Sequence, residues 1–195
     1  MLSDPTERGL STIQLLTFLR TDREGKKKGV YARVVPRDGL KKLNVTNKKK
    51  VAIIANTHRS TQPGEHWVAF YCARNNKNID FFCSYGTDIS EYPRDIRDFG
   101  NALCRAFNIV RIVSNRQPIQ GLLSAVCGQL CLLFLLLKMR NYSTASIVRM
   151  LKGHRQGEND AIISKILQDG RHYSKHVEQM VCKRAGPVQT CCSYS

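Results

Sequence analysis

Acidic side chains are scarce in this chain: 15 Asp and Glu stand against 31 Lys and Arg, for a formal net charge of +16 over 195 residues. A balance so one-sided draws a protein to polyanions such as DNA, RNA or an acidic membrane face. Long apolar runs are also missing. The longest, Leu130–Leu137, falls far short of the roughly 20 residues that span a bilayer, so it reads as a buried helix. The opening MLSDPTERGL lacks a basic stretch followed by an apolar one, so no secretory signal is expected. Without export the eight cysteines are expected to be reduced and buried, catalytic or metal-bound, rather than a disulfide framework. No CxxC pair is present to nucleate a zinc site. There is no internal repeat and no clear linker. One domain is therefore expected over residues 1–181, with residues 182–195 as a loose tail.

Hydrophobic residues make up 42% of the chain, enough to bury a core. Residues 5–20 carry apolar side chains at near-helical spacing. Residues 20–50 hold twelve Lys or Arg and three acids. With Gly25, Gly29, Pro36 and Gly39 among them, they read as loops. Lys50–Asn56, His66–Cys72 and Ile79–Cys83 read as strands of an antiparallel meander, with a polar turn at Asn75–Asn78. Residues 90–107 read as a helix, with Ile96, Phe99, Leu103 and Phe107 on one face. Ile109–Val113 reads as a further strand. Helices are expected from Cys127 to about Met139, from Ser143 to Leu151, and from Asp160 to about Val181. The fold class is α+β.

Two features carry chemistry. Cys127, followed by Gly128, opens the most apolar helix. There the positive end of the macrodipole should lower the thiol pKa and favour the thiolate. Gly128 lets another chain approach the sulfur closely. His66, in Gly64-Glu-His-Trp67, opens a strand and can project from a sheet end. Within reach of Cys127 its imidazole would act as general base and then as acid to the leaving amine. The other histidines have no comparable setting.

The order His66-Trp67, then Phe82-Cys-Ser-Tyr-Gly86, then Gln120-Gly-Leu-Leu-Ser-Ala-Val-Cys127-Gly128 resembles the adenoviral proteases. Gln62-Pro-Gly-Glu-His-Trp-Val-Ala-Phe-Tyr71 looks closest to the branch found in virus-like DNA transposons and adintovirus-like elements. The SUMO-specific proteases are more remote relatives. The resemblance spans roughly residues 30–140. It implies a papain-like fold of the adenain/SUMO-protease type, with a mixed or antiparallel sheet and a central buried helix carrying the nucleophile. It implies Cys127 as nucleophile, His66 as base, and Gln120 as the oxyanion-hole amide beside the Cys127 N–H. Trp67 would be a packing residue over the site. The family has Asp or Glu where this chain has Cys83. A thiol accepts from an imidazole N–H more weakly than a carboxylate does. Strand alternation turns Asp80 to the opposite face, and Asp88 could reach the site only by loop curvature.

The function implied is a cysteine endopeptidase that cleaves viral or transposon capsid or core precursors. Two alternatives are an isopeptidase for SUMO- or ubiquitin-like tails and a DNA-binding structural protein on a weakened protease scaffold. No cofactor is required for the chemistry. The resemblance implies DNA, bound without sequence preference, and a small basic peptide as activators. Lys26, Lys27, Lys28, Lys48, Lys49 and Lys50 are the candidate DNA contacts. Ile109 falls where the peptide's disulfide partner would sit, which argues against covalent attachment, although Cys104 is nearby. Cys83, His66 and Cys127 have the ligand types of an inhibitory zinc site, but without CxxC spacing that reading carries little weight. A monomer with no membrane association is expected, in the virion and the host nucleus or cytoplasm.

Overall fold

The computed structural model describes residues 9–121 and 125–152. The described elements run α1 (Thr12–Thr21), α2 (Arg23–Lys27), β1 (Tyr31–Pro36), a 3-10 turn (Arg37–Lys42), β2 (Lys50–Asn56), β3 (Trp67–Ala73) and β4 (Asn78–Cys83). A second 3-10 turn (Ile89–Glu91), α3 (Arg94–Phe107), β5 (Arg111–Ser114), α4 (Cys127–Met139) and α5 (Thr144–Lys152) follow. The five strands form one mixed sheet in the order β1-β2-β3-β4-β5. β2, β3 and β4 are the expected antiparallel meander. β1 pairs parallel to β2, and β5 parallel to β4. This is the expected α+β class with a mixed sheet around a buried helix. The expected helix over residues 160–181 and the tail lie outside the described residues.

The region 20–50 is not a string of loops: it contains α2 and β1. The sequence Tyr31-Ala-Arg-Val-Val-Pro36 buries Ala32 and Val34 on one face. Its other face carries Tyr31, with the Arg33 guanidinium 4.2 Å and the Lys48 ammonium 5.0 Å from the ring centre. The strand is an edge whose outward face is covered by cations, so the local charge hid its alternation.

The sheet separates two cores. On one face Ala52, Ile54, Ala69, Tyr71 and Phe82 meet α1, α4 and α5. On the other, Val51, Ile53, Phe70, Ile79, Phe81 and Cys83 meet α3. Helix α3 is amphipathic and buries Ile96, Phe99, Leu103 and Phe107. Helix α4 has no polar stripe to show to water, and every residue from Cys127 to Met139 is buried. Its Phe134 stacks on Phe82 with ring centres 4.5 Å apart. No helix among the described residues is long and apolar enough to cross a membrane.

The far end of α4 is held by charge. Lys28 donates through its ammonium to the Met139 carbonyl. Arg140 donates to the Leu136 carbonyl (3.1 Å) and pairs with Asp22 (3.0 Å). The Asp22 side chain is fully buried and also caps α2 by accepting the Gly25 N–H at 2.8 Å. Removing one partner of such a pair leaves an uncompensated buried charge. Arg140→Ala is therefore expected to lower unfolding free energy by about 3–5 kcal/mol, read as a fall in the urea midpoint. A loss below about 1 kcal/mol would mean that water reaches Asp22 as in an exposed pair.

Candidate active site

Antiparallel pairing sets Val68 opposite Cys83, so the start of β3 and the end of β4 share one end of the sheet. His66 directly precedes β3, and its carbonyl accepts the Thr57 N–H (2.8 Å), carrying the β2–β3 ladder one step further. Helix α4 begins at the same end. A Cβ on Gly128 would lie 3.2 Å from Trp67 Cδ1 and 3.3 Å from Leu15 Cδ1, so glycine lets the helix start press against Trp67. Trp67 packs at the edge of the α4 core, and its carbonyl takes the Cys131 thiol at 3.2 Å. The Cys127 sulfur faces the peptide N–H groups of Trp67 and Gly128.

His66 Nε2 lies 3.4 Å from Cys83 Sγ, which leaves Nδ1 as the nitrogen for a second partner. The Tyr85 ring stacks on the imidazole, with centres 4.8 Å apart and planes 28° from parallel. Cys83, fully buried, also accepts from the Tyr85 N–H (3.3 Å) and the Tyr92 hydroxyl (2.9 Å). Its main chain is clasped by Asn115, which accepts the Cys83 N–H (2.8 Å) and donates to its carbonyl (2.7 Å). Cys83 thus occupies the place beside the imidazole where the resemblance puts a carboxylate. Asp80 does point to the other face, where it pairs with Lys138 (2.9 Å) and accepts from Thr144 (2.6 Å). Asp88 is engaged with Ser90 (3.0 Å) and Arg116 (3.4 Å).

Gln120 is buried in the same region. Its Oε1 accepts from the Ser84 hydroxyl (2.6 Å), and its Nε2 donates to the Tyr85 hydroxyl (3.4 Å). The Ile119 and Gln120 N–H groups both donate to the Ser84 carbonyl (2.8 and 3.2 Å). The loop bearing Gln120 is therefore fastened to the end of the strand bearing Cys83. Tyr92 and Asn115, central to this arrangement, gave no sequence signal: each sits in a loop outside any motif.

The electrostatics reverse one expectation. The Cys127 thiol pKa is raised, because burial outweighs the N–H groups of Trp67 and of the helix start that act to lower it. A macrodipole favours a thiolate most where the helix end meets water, and this thiol is only 8% exposed. Burial also lowers the His66 pKa from 6.5 to about 4. Both shifts favour the neutral forms, and no hydrogen bond joins the two groups among the described residues.

The candidate lysines divide. Lys26, Lys27 and Lys49 are exposed and Lys48 and Lys50 half-buried. Lys28 departs from the expectation, since its ammonium is spent on the α4 carboxyl end and on Glu24 (3.4 Å). Ile109 is buried, its N–H donating to the Cys104 carbonyl. Among the described residues no group of three or more His, Cys, Asp or Glu is arranged to hold a metal ion. Cys72, Cys83, Cys104, Cys127 and Cys131 are all free thiols.

The lowered His66 pKa makes a stability prediction. Between pH 6.5 and about 4 the unfolded chain binds a proton that the folded chain refuses. Stability should therefore fall as pH drops through that window, by roughly 3 kcal/mol from this group. Unfolding midpoints of wild type and His66→Gln should diverge across it. Parallel curves would place the imidazole in water.

The family model described as adenovirus endoprotease matches residues 39–166. No curated protein matches by sequence. Among solved structures, the crystal structure of the ASFV pS273R protease superposes with a TM-score of 0.62 at 13% identity, covering 89% of this chain and 68% of that one. Its Se-Met form gives 0.61 at 14%, covering 89% and 69%. At those identities the likeness concerns the fold, and it agrees with the sheet and buried helix described above. With the family match spanning most of the chain, the protein belongs to the adenovirus endoprotease family and is a cysteine peptidase.

Proposed function

We propose that this peptidase cleaves viral or transposon capsid or core precursors by acyl-enzyme chemistry at Cys127. The supporting observation is that Cys127, His66, Cys83 and Gln120, far apart in sequence, meet at one end of the sheet. His66 Nδ1 takes the Cys127 proton as the sulfur attacks the scissile carbonyl. Gln120 Nε2 and the Cys127 N–H receive the oxyanion. The imidazolium then gives its proton to the leaving amine, and water hydrolyses the thioester. Cys127→Ala should abolish cleavage of a precursor-derived peptide, while Cys72→Ala, on β3 away from the site, should keep it. Turnover by Cys127→Ala would remove this mechanism.

DNA is the activator that the charge favours. Parallel pairing of β1 and β2 sets Tyr31 beside Val51, so the two lysine runs preceding these strands share one end of the sheet. The register Lys50–Ala73 and Asn56–Trp67 makes that the end opposite the catalytic residues, about 20 Å away at the rise of a strand. DNA bound there would leave the substrate cleft open. The enzyme is read as a monomer acting in the virion and in the host nucleus or cytoplasm. Replacing Lys26, Lys27, Lys48 and Lys49 by Gln should weaken DNA binding alike for all sequences. It should also reduce the salt slope by about 0.9 for each phosphate no longer neutralised. An unchanged slope would move DNA to another surface.

A further inference from the structure

Resting on the catalytic reading above, we propose that Tyr92 is a positioning residue: its hydroxyl holds Cys83 as a hydrogen-bond acceptor and so fixes the tautomer of His66. A neutral imidazole carries one N–H and one acceptor nitrogen. If Nε2–H donates to Cys83, Nδ1 is free to take the Cys127 proton. If instead the Cys83 thiol donates to Nε2, the ring proton sits on Nδ1 and the base is disabled. A carboxylate settles the matter by having nothing to donate. A thiol does not, so its other neighbours decide.

Both other neighbours are donors. The Tyr85 peptide N–H, 3.3 Å from the sulfur, can only donate. The Tyr92 hydroxyl, 2.9 Å away, could in principle donate or accept. In the structure it donates to the sulfur, so the Tyr92 hydrogen is turned toward Cys83. Two donors thus converge on one fully buried sulfur, and an Nε2–H of His66 at 3.4 Å makes the third. That is the hydrogen-bonding environment of an acceptor that stands in for a carboxylate. The Asn115 clasp keeps the Cys83 main chain from shifting away. Burial, which lowers the His66 pKa to about 4, keeps the ring neutral and makes the tautomer the relevant variable.

Tyr92→Phe tests this with little structural disturbance, because the ring and its edge contact with Phe81 (centres 5.3 Å apart) are retained. The expected result is a fall in kcat of about tenfold, the upper worth of one ordinary hydrogen bond, with KM unchanged. In 15N-histidine spectra the His66 signals should move from the Nε2–H toward the Nδ1–H pattern. In a Cys83→Asp background the carboxylate accepts without help, so Tyr92→Phe should change kcat by less than about threefold. An Nδ1–H pattern in the wild type would overturn the proposal. So would an unchanged kcat in Tyr92→Phe, or an equal loss in both backgrounds, which would make Tyr92 merely structural. Loss of cleavage in Cys127→Ala is independent of these results, so the catalytic reading and this one fail separately.

Discussion

Burying α4 on every side is the constraint on which the rest of this molecule depends. A helix with no wet face must have its end groups satisfied by protein, since each orphan N–H or carbonyl left dry is costly. At the carboxyl end Lys28 and Arg140 take the Met139 and Leu136 carbonyls. Part of the charge excess is therefore spent inside the fold and is not available to a polyanion. At the amino end the Gly128 N–H faces the Cys127 sulfur. The same burial that needs this end covered places the thiol against β3, and the glycine after it allows the approach.

The polar side of the site is built as one unit. Gly86 takes φ +75°, and a Cβ there would lie 2.6 Å from the Gln117 carbonyl carbon. Only glycine lets the turn after β4 pack on the loop that carries Gln120. Ser84 then serves that loop twice, with its carbonyl holding two N–H groups and its hydroxyl orienting the Gln120 amide. Tyr85 spans from Gln120 to the face of the His66 ring. Moving any one of these residues would disturb the His66 ring and the Gln120 amide together.

The parts legible in the sequence were those governed by period and composition. Lys50–Asn56 reads as a strand because its apolar run is short and β-branched, and β2 has those bounds. The start of α4 was marked by Cys127-Gly128 and its apolar run. β1 was hidden because alternation with Arg33 and Tyr31 on the outward face looks like polar sequence until the cation stacking is seen. The helix over residues 90–107 starts at Arg94, since Ile89–Glu91 forms a separate 3-10 turn ahead of Pro93. The candidate site divides in the same way. His66, Cys83, Gln120 and Cys127 lie in motifs and are legible there. Tyr92 and Asn115 reach Cys83 from other segments of the chain, through contacts that no local pattern encodes.

The thiol shows most clearly what a pattern leaves out. A helix start favours an anion, but it does so by a fraction of a charge at its end. Removing the sulfur from water disfavours the anion and here is the larger effect. The same desolvation holds the imidazole neutral down to about pH 4. Desolvation thus works against a standing thiolate–imidazolium pair. In the proposed mechanism the proton leaves Cys127 as the carbon–sulfur bond forms, so that the oxyanion and the imidazolium arise together. Two opposite charges born inside a dry site are stabilised only by dipoles already in place. In that mechanism the burden falls on the Gln120 amide and the helix N–H for one charge, and on the acceptor beside His66 Nε2 for the other. In this chain that acceptor is a sulfur, held in the accepting role by the Tyr85 N–H and the Tyr92 hydroxyl. A carboxylate would carry a full charge at the same point and would stabilise the imidazolium more strongly than a sulfur does.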